Sequence, residues 1–345
     1  MWRLREEIFE QPGVLAKLIE AEEDKTAQVA EEIRRHDVRF ILIAARGSSD
    51  NAAIYGKYLF AALNRLPVAL ATPSLFTIYC SPPNLKDALV IGISQSGESI
   101  DIVEVVAEAR RQGALTLAIT NRAESPLAQA AEHVLPCHAG EERSVAATKT
   151  YTTQLVALAL LAVALAGDKE KLATLKTLPK AVERTLALEE AVSAAAERYR
   201  YMETCIVIGR GYNYATAFEI ALKLKELTYV VAEPYSPADF VHGPIAIVEH
   251  GFPVIVVAPS GQVFDDVYDL AETLHRREAE LVVISDHDKA LALAKTPLRL
   301  SVPVEEWLSP IICVVPGQLF AYHLTLAKGY DPDHPRGLRK VTVTR

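Results

Sequence analysis

Phe40-Ile41-Leu42-Ile43-Ala44-Ala45-Arg46-Gly47 is an apolar run that ends in Arg-Gly, and Cys205-Ile206-Val207-Ile208-Gly209-Arg210-Gly211 repeats the phrase. The two arginines stand 164 residues apart. At that same offset Ile91-Gly92-Ile93-Ser94-Gln95-Ser96-Gly97 aligns with Ile255-Val256-Val257-Ala258-Pro259-Ser260-Gly261. One residue further out, Thr116–Thr120 aligns with Leu281–Ser285, and His133–Pro136 falls loosely on Leu298–Pro303. Blocks in one order at nearly one offset mark a duplicated domain. Each copy alternates short continuous apolar runs with helical stretches charged on one side, such as Ser99–Gln112 and Val263–Glu278. Apolar runs of that kind are strands buried on both faces of a parallel sheet. The reading is α/β: two tandem doubly wound, flavodoxin-like αβα sandwiches.

Working outward, residues 1–36 read as an amino-terminal helical segment, helical over Gln11–Arg35. Residues 37–168 are the first sandwich, 169–200 a linking helix, 201–330 the second sandwich, and 331–345 a turn-rich tail. A chain of 345 residues that is half hydrophobic buries a core without staples and is not intrinsically disordered. The formal charge of −8 opposes binding of nucleic acid or anionic membrane through bulk charge. The four cysteines are far apart with no Cys-x-x-Cys pair, which fits a reducing compartment and excludes a zinc ribbon. The first ten residues are charged and carry no signal-peptide pattern. The longest apolar run, Leu155–Ala166, is about a dozen residues and reads as a buried helix, too short to span a bilayer. The expectation is a cytoplasmic protein.

Open α/β sheets bind ligands at the carboxyl ends of their strands. Ser94-Gln95-Ser96-Gly97-Glu98-Ser99 follows one such strand and opens a helix. Its hydroxyls, its amide and the helix N-terminus make a phosphate cradle that needs neither lysine nor metal. Gly47-Ser48-Ser49 adds hydroxyls from the neighbouring strand end. Ser/Gly loops also serve as ordinary helix caps, so capping stays open at this point. No P-loop and no dinucleotide fingerprint occurs. In the second copy Ala258-Pro259-Ser260-Gly261 replaces the serine loop, so the copies divide labour.

The second copy carries different chemistry. Glu219, Lys223 and Glu226 fall at i, i+4 and i+7, on one helix face. Spacing alone favours a solvated ion pair; their place after a strand-end Gly-Arg-Gly loop favours an acid/base set in a cleft. His242 lies in a Pro/Gly loop and suits ring-opening acid/base chemistry, and no second ligand at metal spacing accompanies it. Lys340 near the terminus is an isolated lysine.

Together these stretches resemble the sugar isomerase (SIS) family, above all the isomerase half of glucosamine-6-phosphate synthase and its relatives without a glutaminase domain. The resemblance runs from Glu7-Ile8-Phe9-Glu10-Gln11-Pro12 through the serine loop, Val145-Ala146-Ala147-Thr148-Lys149, Thr152-Thr153-Gln154, Ala221-Leu222-Lys223-Leu224-Lys225-Glu226 and His242-Gly243-Pro244 to Pro335-Arg336-Gly337-Leu338-Arg339-Lys340. It implies a cofactor-free enzyme. Ser49, Ser94, Gln95, Ser96 and Ser99 would hold a sugar phosphate, with Val145 lining the sugar site. Glu226 would move a proton between C1 and C2, with Lys223 near the enediol. His242 would open the ring from the partner subunit of a homodimer, and Lys340 would close over the sugar. Ala147 stands where the synthase has a sugar-contacting serine, Arg46 replaces a small residue, and Arg339 replaces an alanine. Arg46-Gly47-Ser48-Ser49-Asp50-Asn51 and Pro237-Ala238-Asp239-Phe240 look more like the catabolic branch with SIS-type glucosamine-6-phosphate deaminases. The implied reaction is glucosamine 6-phosphate plus water to fructose 6-phosphate plus ammonia. Action on another amino- or keto-sugar phosphate and non-catalytic sensing are the alternatives.

Overall fold

The computed structural model describes residues 2–340. The chain divides into two compact units. One holds residues 10–142, 147–179 and the tail from Arg339; the other holds the amino terminus to Phe9, Arg143–Ala146 and Lys180–Leu338. Of the tail 331–345, which the resemblance implies closes the site, the residues beyond Lys340 lie outside the described residues.

The first unit is built on five parallel strands: β1 (Phe40–Ala44), β2 (Val68–Leu70), β3 (Ala88–Ser94), β4 (Leu115–Thr120) and β5 (His133–Pro136). The second is built on β6 (Thr204–Ile208), β7 (Val231–Tyr235), β8 (Pro253–Val257), β9 (Glu280–Ser285) and β10 (Thr296–Arg299), again all parallel. The first sheet runs β2-β1-β3-β4-β5 and the second β10-β9-β8-β6-β7. Read from the other edge, the second order is the first order repeated. Both are the flavodoxin-like arrangement, whose strand order reverses between its first and third strands. β3 and β8 are buried at every residue, as their unbroken apolar sequence requires.

The duplication holds strand by strand, with one register corrected. β5 pairs Leu117 with His133, and its counterpart β10 pairs Val282 with Thr296. The counterpart of His133 is therefore Thr296, and Leu300–Pro303 follows the strand rather than forming it. The connecting segment, read as one helix, is three: Lys169–Lys176, Leu178–Leu186 and Glu189–Arg198. Asp168 caps the first of them by accepting from Lys171 N–H.

Two helices carry most of the remaining apolar sequence. Lys149–Ala166 begins six residues earlier than its apolar run. The hydroxyls of Thr152 and Thr153 donate back to Lys149 and Thr150 carbonyls, so those polar residues join the helix without unpaired groups. At that length it and the Glu306–Ala327 segment are long and apolar enough to cross a membrane, but 83% and 89% of them are buried inside the protein. Within the second unit Gly317 lets Ser309–Ala327 approach the Tyr214–Thr228 helix; a Cβ there would stand 2.4 Å from Ile220 Cγ1. All four cysteines are unpaired, and burial pushes the thiols of Cys137 and Cys205 up to about 12.

Candidate active site

At the reversal point of the first sheet, the loops after β1 and β3 open the Ser48–Asn64 and Ile100–Arg111 helices. Gly97 turns the second loop with φ +66°, and a Cβ there would lie 2.0 Å from Ser125 Oγ. Ser94 Oγ accepts from Gly97 N–H at 3.1 Å and lies 3.4 Å from Ser99 Oγ, and Ser96 Oγ accepts from Glu98 N–H. Gln95 is fixed by its carbonyl, which accepts from Asn121 N–H. Ser99 occupies the N-cap position but its side chain caps nothing. Ordinary capping is thus not what the loop's last serine does. Gly47, at the head of the neighbouring helix, cannot cap it, and Ser49 in the first turn is buried.

The corresponding place in the second sheet is filled. The loop after β8 leads into the Phe264–Arg276 helix. Glu306 accepts there from Gln262 N–H at 2.9 Å and Val263 N–H at 3.3 Å. Gly261 makes room for it, since a Cβ would stand 2.4 Å from Glu306 Cδ. The chain's own carboxylate occupies the anion position of this copy.

The acid/base face lies on the Tyr214–Thr228 helix and is not the solvated pair that spacing favours. Glu219 and Lys223 are 0% and 1% exposed, and Glu226 is the one member that reaches solvent, at 23%. Lys223 Nζ stands 3.4 Å from Glu219 Oε1 and 2.5 Å from Glu226 Oε2. A buried ammonium is tolerable here because its charge is matched on the spot by carboxylates within ion-pair reach. The helix is held at its head by Asn213, which donates to Ser309 Oγ at 2.7 Å and accepts from Thr216 Oγ1 at 2.9 Å. The lysine can orient Glu226, while the exposed edge of the carboxylate remains available to a substrate.

His242 follows the short Pro237–Val241 helix, which Ser236 caps by accepting from Asp239 N–H. Its side chain is exposed and makes no hydrogen bond with a described residue. Val145 and Ala147 are half-buried. Beside Val145, the backbone N–H groups of Arg143 and Ser144 donate to the buried carboxylate of Glu7, which explains the opening motif. Glu10 of the same motif pairs with the buried Lys149 at 2.5 Å.

Lys340 is not isolated. Its Nζ lies 2.7 Å from Glu142 Oε2, and Glu142 also accepts from Thr148 N–H, Thr150 N–H and Thr150 Oγ1. Burial pushes the Glu142 carboxyl up, but Lys340 and the threonine donors push harder and leave it below its ordinary value. Glu142, in Gly-Glu-Glu-Arg, carries no motif or spacing that marks it as a site residue.

The SIS domain profile matches residues 36–164 and again 200–328. The chain belongs to the SIS domain family. Over 347 residues it is 40% identical to the glutamine–fructose-6-phosphate aminotransferase (isomerizing) of Thermococcus kodakarensis, covering 98% of this chain and 57% of that protein. The chain therefore spans little more than half the length of that relative. Among solved structures, a provisionally described phosphosugar isomerase of Silicibacter pomeroyi DSS-3 is 34% identical with a TM-score of 0.87, covering 96% of this chain and all of the other. The C-terminal domain of the glucosamine-fructose-6-phosphate aminotransferase of Francisella tularensis is 29% identical with a TM-score of 0.87, covering 96% and 98%.

Proposed function

We propose that this SIS protein is a phosphosugar aldose–ketose isomerase that converts glucosamine 6-phosphate and water to fructose 6-phosphate and ammonia. The observation that carries the reading is the buried Glu219–Lys223–Glu226 array, with one carboxylate edge open, in a chain whose other copy keeps an unfilled serine loop. The phosphate binds at Ser49, Ser94, Gln95, Ser96 and Ser99, remote from the reacting carbons, and so supplies selectivity. His242 opens the pyranose and acts from the partner subunit of a homodimer. Glu226 takes the proton from C2 and returns it to C1, leaving an imine at C2. Water adds to that carbon and ammonia leaves. Val145 and Ala147 face the sugar, and Lys340 helps enclose it. The resemblance of Arg46–Asn51 and Pro237–Phe240 to the catabolic branch favours release of ammonia and a cytoplasmic place of work.

The relative's name favours a second reading, the sugar half of an aminotransferase that runs toward glucosamine 6-phosphate with ammonia supplied from elsewhere. Ammonia release coupled to glutamate dehydrogenase separates the two, with EDTA present and glucosamine, N-acetylglucosamine and galactosamine 6-phosphates offered. Rapid release from glucosamine 6-phosphate alone supports the deaminase. No release, with amination of fructose 6-phosphate by ammonium, supports the second reading. Binding without turnover of any sugar phosphate would leave a sensor. The shared site has its own check: Glu226→Gln and His242→Ala chains, each inactive, should regain turnover when mixed and refolded together.

A further inference from the structure

Each copy carries the same arginine clasp. After β1, Arg46 Nε donates to Asp101 Oδ2 at 2.7 Å; after β6, Arg210 Nε stands 3.2 Å from Asp266 Oδ2. In both, the aspartate lies in the first turn of the helix that follows the third strand of its sheet. In the second copy that helix N-terminus holds an anion, the Glu306 carboxylate, on the N–H groups of Gln262 and Val263. The loop bearing Arg210 also comes close, since Glu306 adds to the upward push of burial on the Tyr212 hydroxyl. The repeat thus shows the clasp beside an occupied anion position.

In the first copy no internal carboxylate is hydrogen-bonded to the serine-loop N–H groups among the bonds described. Asp101 is buried at 1% exposure, whereas Arg46 is half in solvent. Asp101 spends its other oxygen on Ile102 N–H. Arg46 hydrogen-bonds through Nε alone among the bonds described, and its charge also reaches the Asp50 carboxyl, whose upward push by burial it opposes. A buried carboxylate in the first turn of this helix would repel a dianion unless matched by a cation. Arg46 supplies that match and still offers two outward N–H-bearing nitrogens in the fork that suits phosphate oxygens.

We propose that Arg46, aimed by Asp101, is a phosphate-contacting residue that selects phosphomonoester dianions at the Ser94–Ser99 loop. This rests on the reading of that loop as the phosphate site. The serines and helix N–H groups neutralise nothing, and Arg122, the other arginine at the loop, is paired with Glu98 at 2.6 Å, so Arg46 is the charged contact proposed for the phosphate.

The test is titration calorimetry of the full chain with inorganic phosphate as probe, on wild type, Arg46→Ala, Arg46→Lys, Asp101→Asn and Ser94→Ala/Ser96→Ala. Wild type should bind, and Arg46→Ala should weaken binding about 10-fold or more, the scale of one charge-assisted hydrogen bond. Arg46→Lys should recover part of the loss, because it keeps the charge without the fork, which a merely structural role would not reproduce. Asp101→Asn keeps the fold of the first turn and should weaken binding less than Arg46→Ala. If Arg46→Ala and Arg46→Lys both bind as wild type does while the double serine variant has lost binding, the inference falls and the loop reading stands. If wild type binds no phosphate, or the serine variant binds equally well, the loop reading fails and takes the inference with it.

Discussion

The two copies share a strand order and differ at the N-terminus of the helix after the third strand. In the first copy Ser99 heads that helix and caps nothing; in the second, Glu306 reaches over and satisfies two of its N–H groups. The duplication leaves two equivalent helix N-termini, and in the second a carboxylate of the chain itself takes the N–H groups. The acid/base chemistry is distributed the other way. Glu219, Lys223 and Glu226 occupy the first helix of the second copy, whereas the matching Ser48–Asn64 helix of the first copy carries no such triad. On the proposed function, binding and chemistry are divided between the two copies.

The sharpest way to break that division is Glu226→Gln. Turnover should fall by about 10²–10⁴-fold, the range for loss of a general base, while phosphate affinity in the first copy stays unchanged. Equal loss of both would mean the copies do not divide labour. Lys223→Met should come next, costing about 3–5 kcal/mol in urea unfolding, because it breaks a buried ion pair with Glu219 by removing one partner. A cost below 1 kcal/mol would mean that water reaches Glu219.

Glu142 gives the first copy its own electrostatic test. Its carboxyl sits below the ordinary 4.5, so folding is favoured by its charged form above that pH, and the contribution is lost as pH falls through the folded value. Glu142→Gln should lower stability by roughly 3 kcal/mol at pH 7 and flatten the acid limb of a stability–pH curve. An unchanged acid limb would show that the Lys340 pair contributes nothing. The smallest effect should come from Glu306→Ala, about 0.5–1.5 kcal/mol, because water can reach the two backbone donors it leaves. Inorganic phosphate should restore part of it by occupying the vacated position, with a second binding event in calorimetry. Absence of that event would show that the second copy has lost more than its vacancy.

Much of this was legible in the residues. Duplication, parallel sheets and the strand-end loops follow from apolar runs at a constant offset, since strands buried on both faces need unbroken apolar sequence whatever surrounds them. The helix face of Glu219, Lys223 and Glu226 was legible as spacing but not as environment. An i, i+4 pair looks the same in water and in a core; the packing around the Tyr214–Thr228 helix decides that this one is buried. The opening motif could be recognised but not explained, because Glu7 meets Arg143 and Ser144 across more than a hundred residues of chain. Sequence by itself determined the repeat, the sheet class and which copy keeps its serines. Tertiary structure alone decided that Glu306 fills one anion position, that Glu142 holds Lys340, and that Asp101 aims Arg46. Local sequence fixes backbone pattern, whereas the partner of a charge is chosen by whatever distant segment the fold brings within hydrogen-bonding reach.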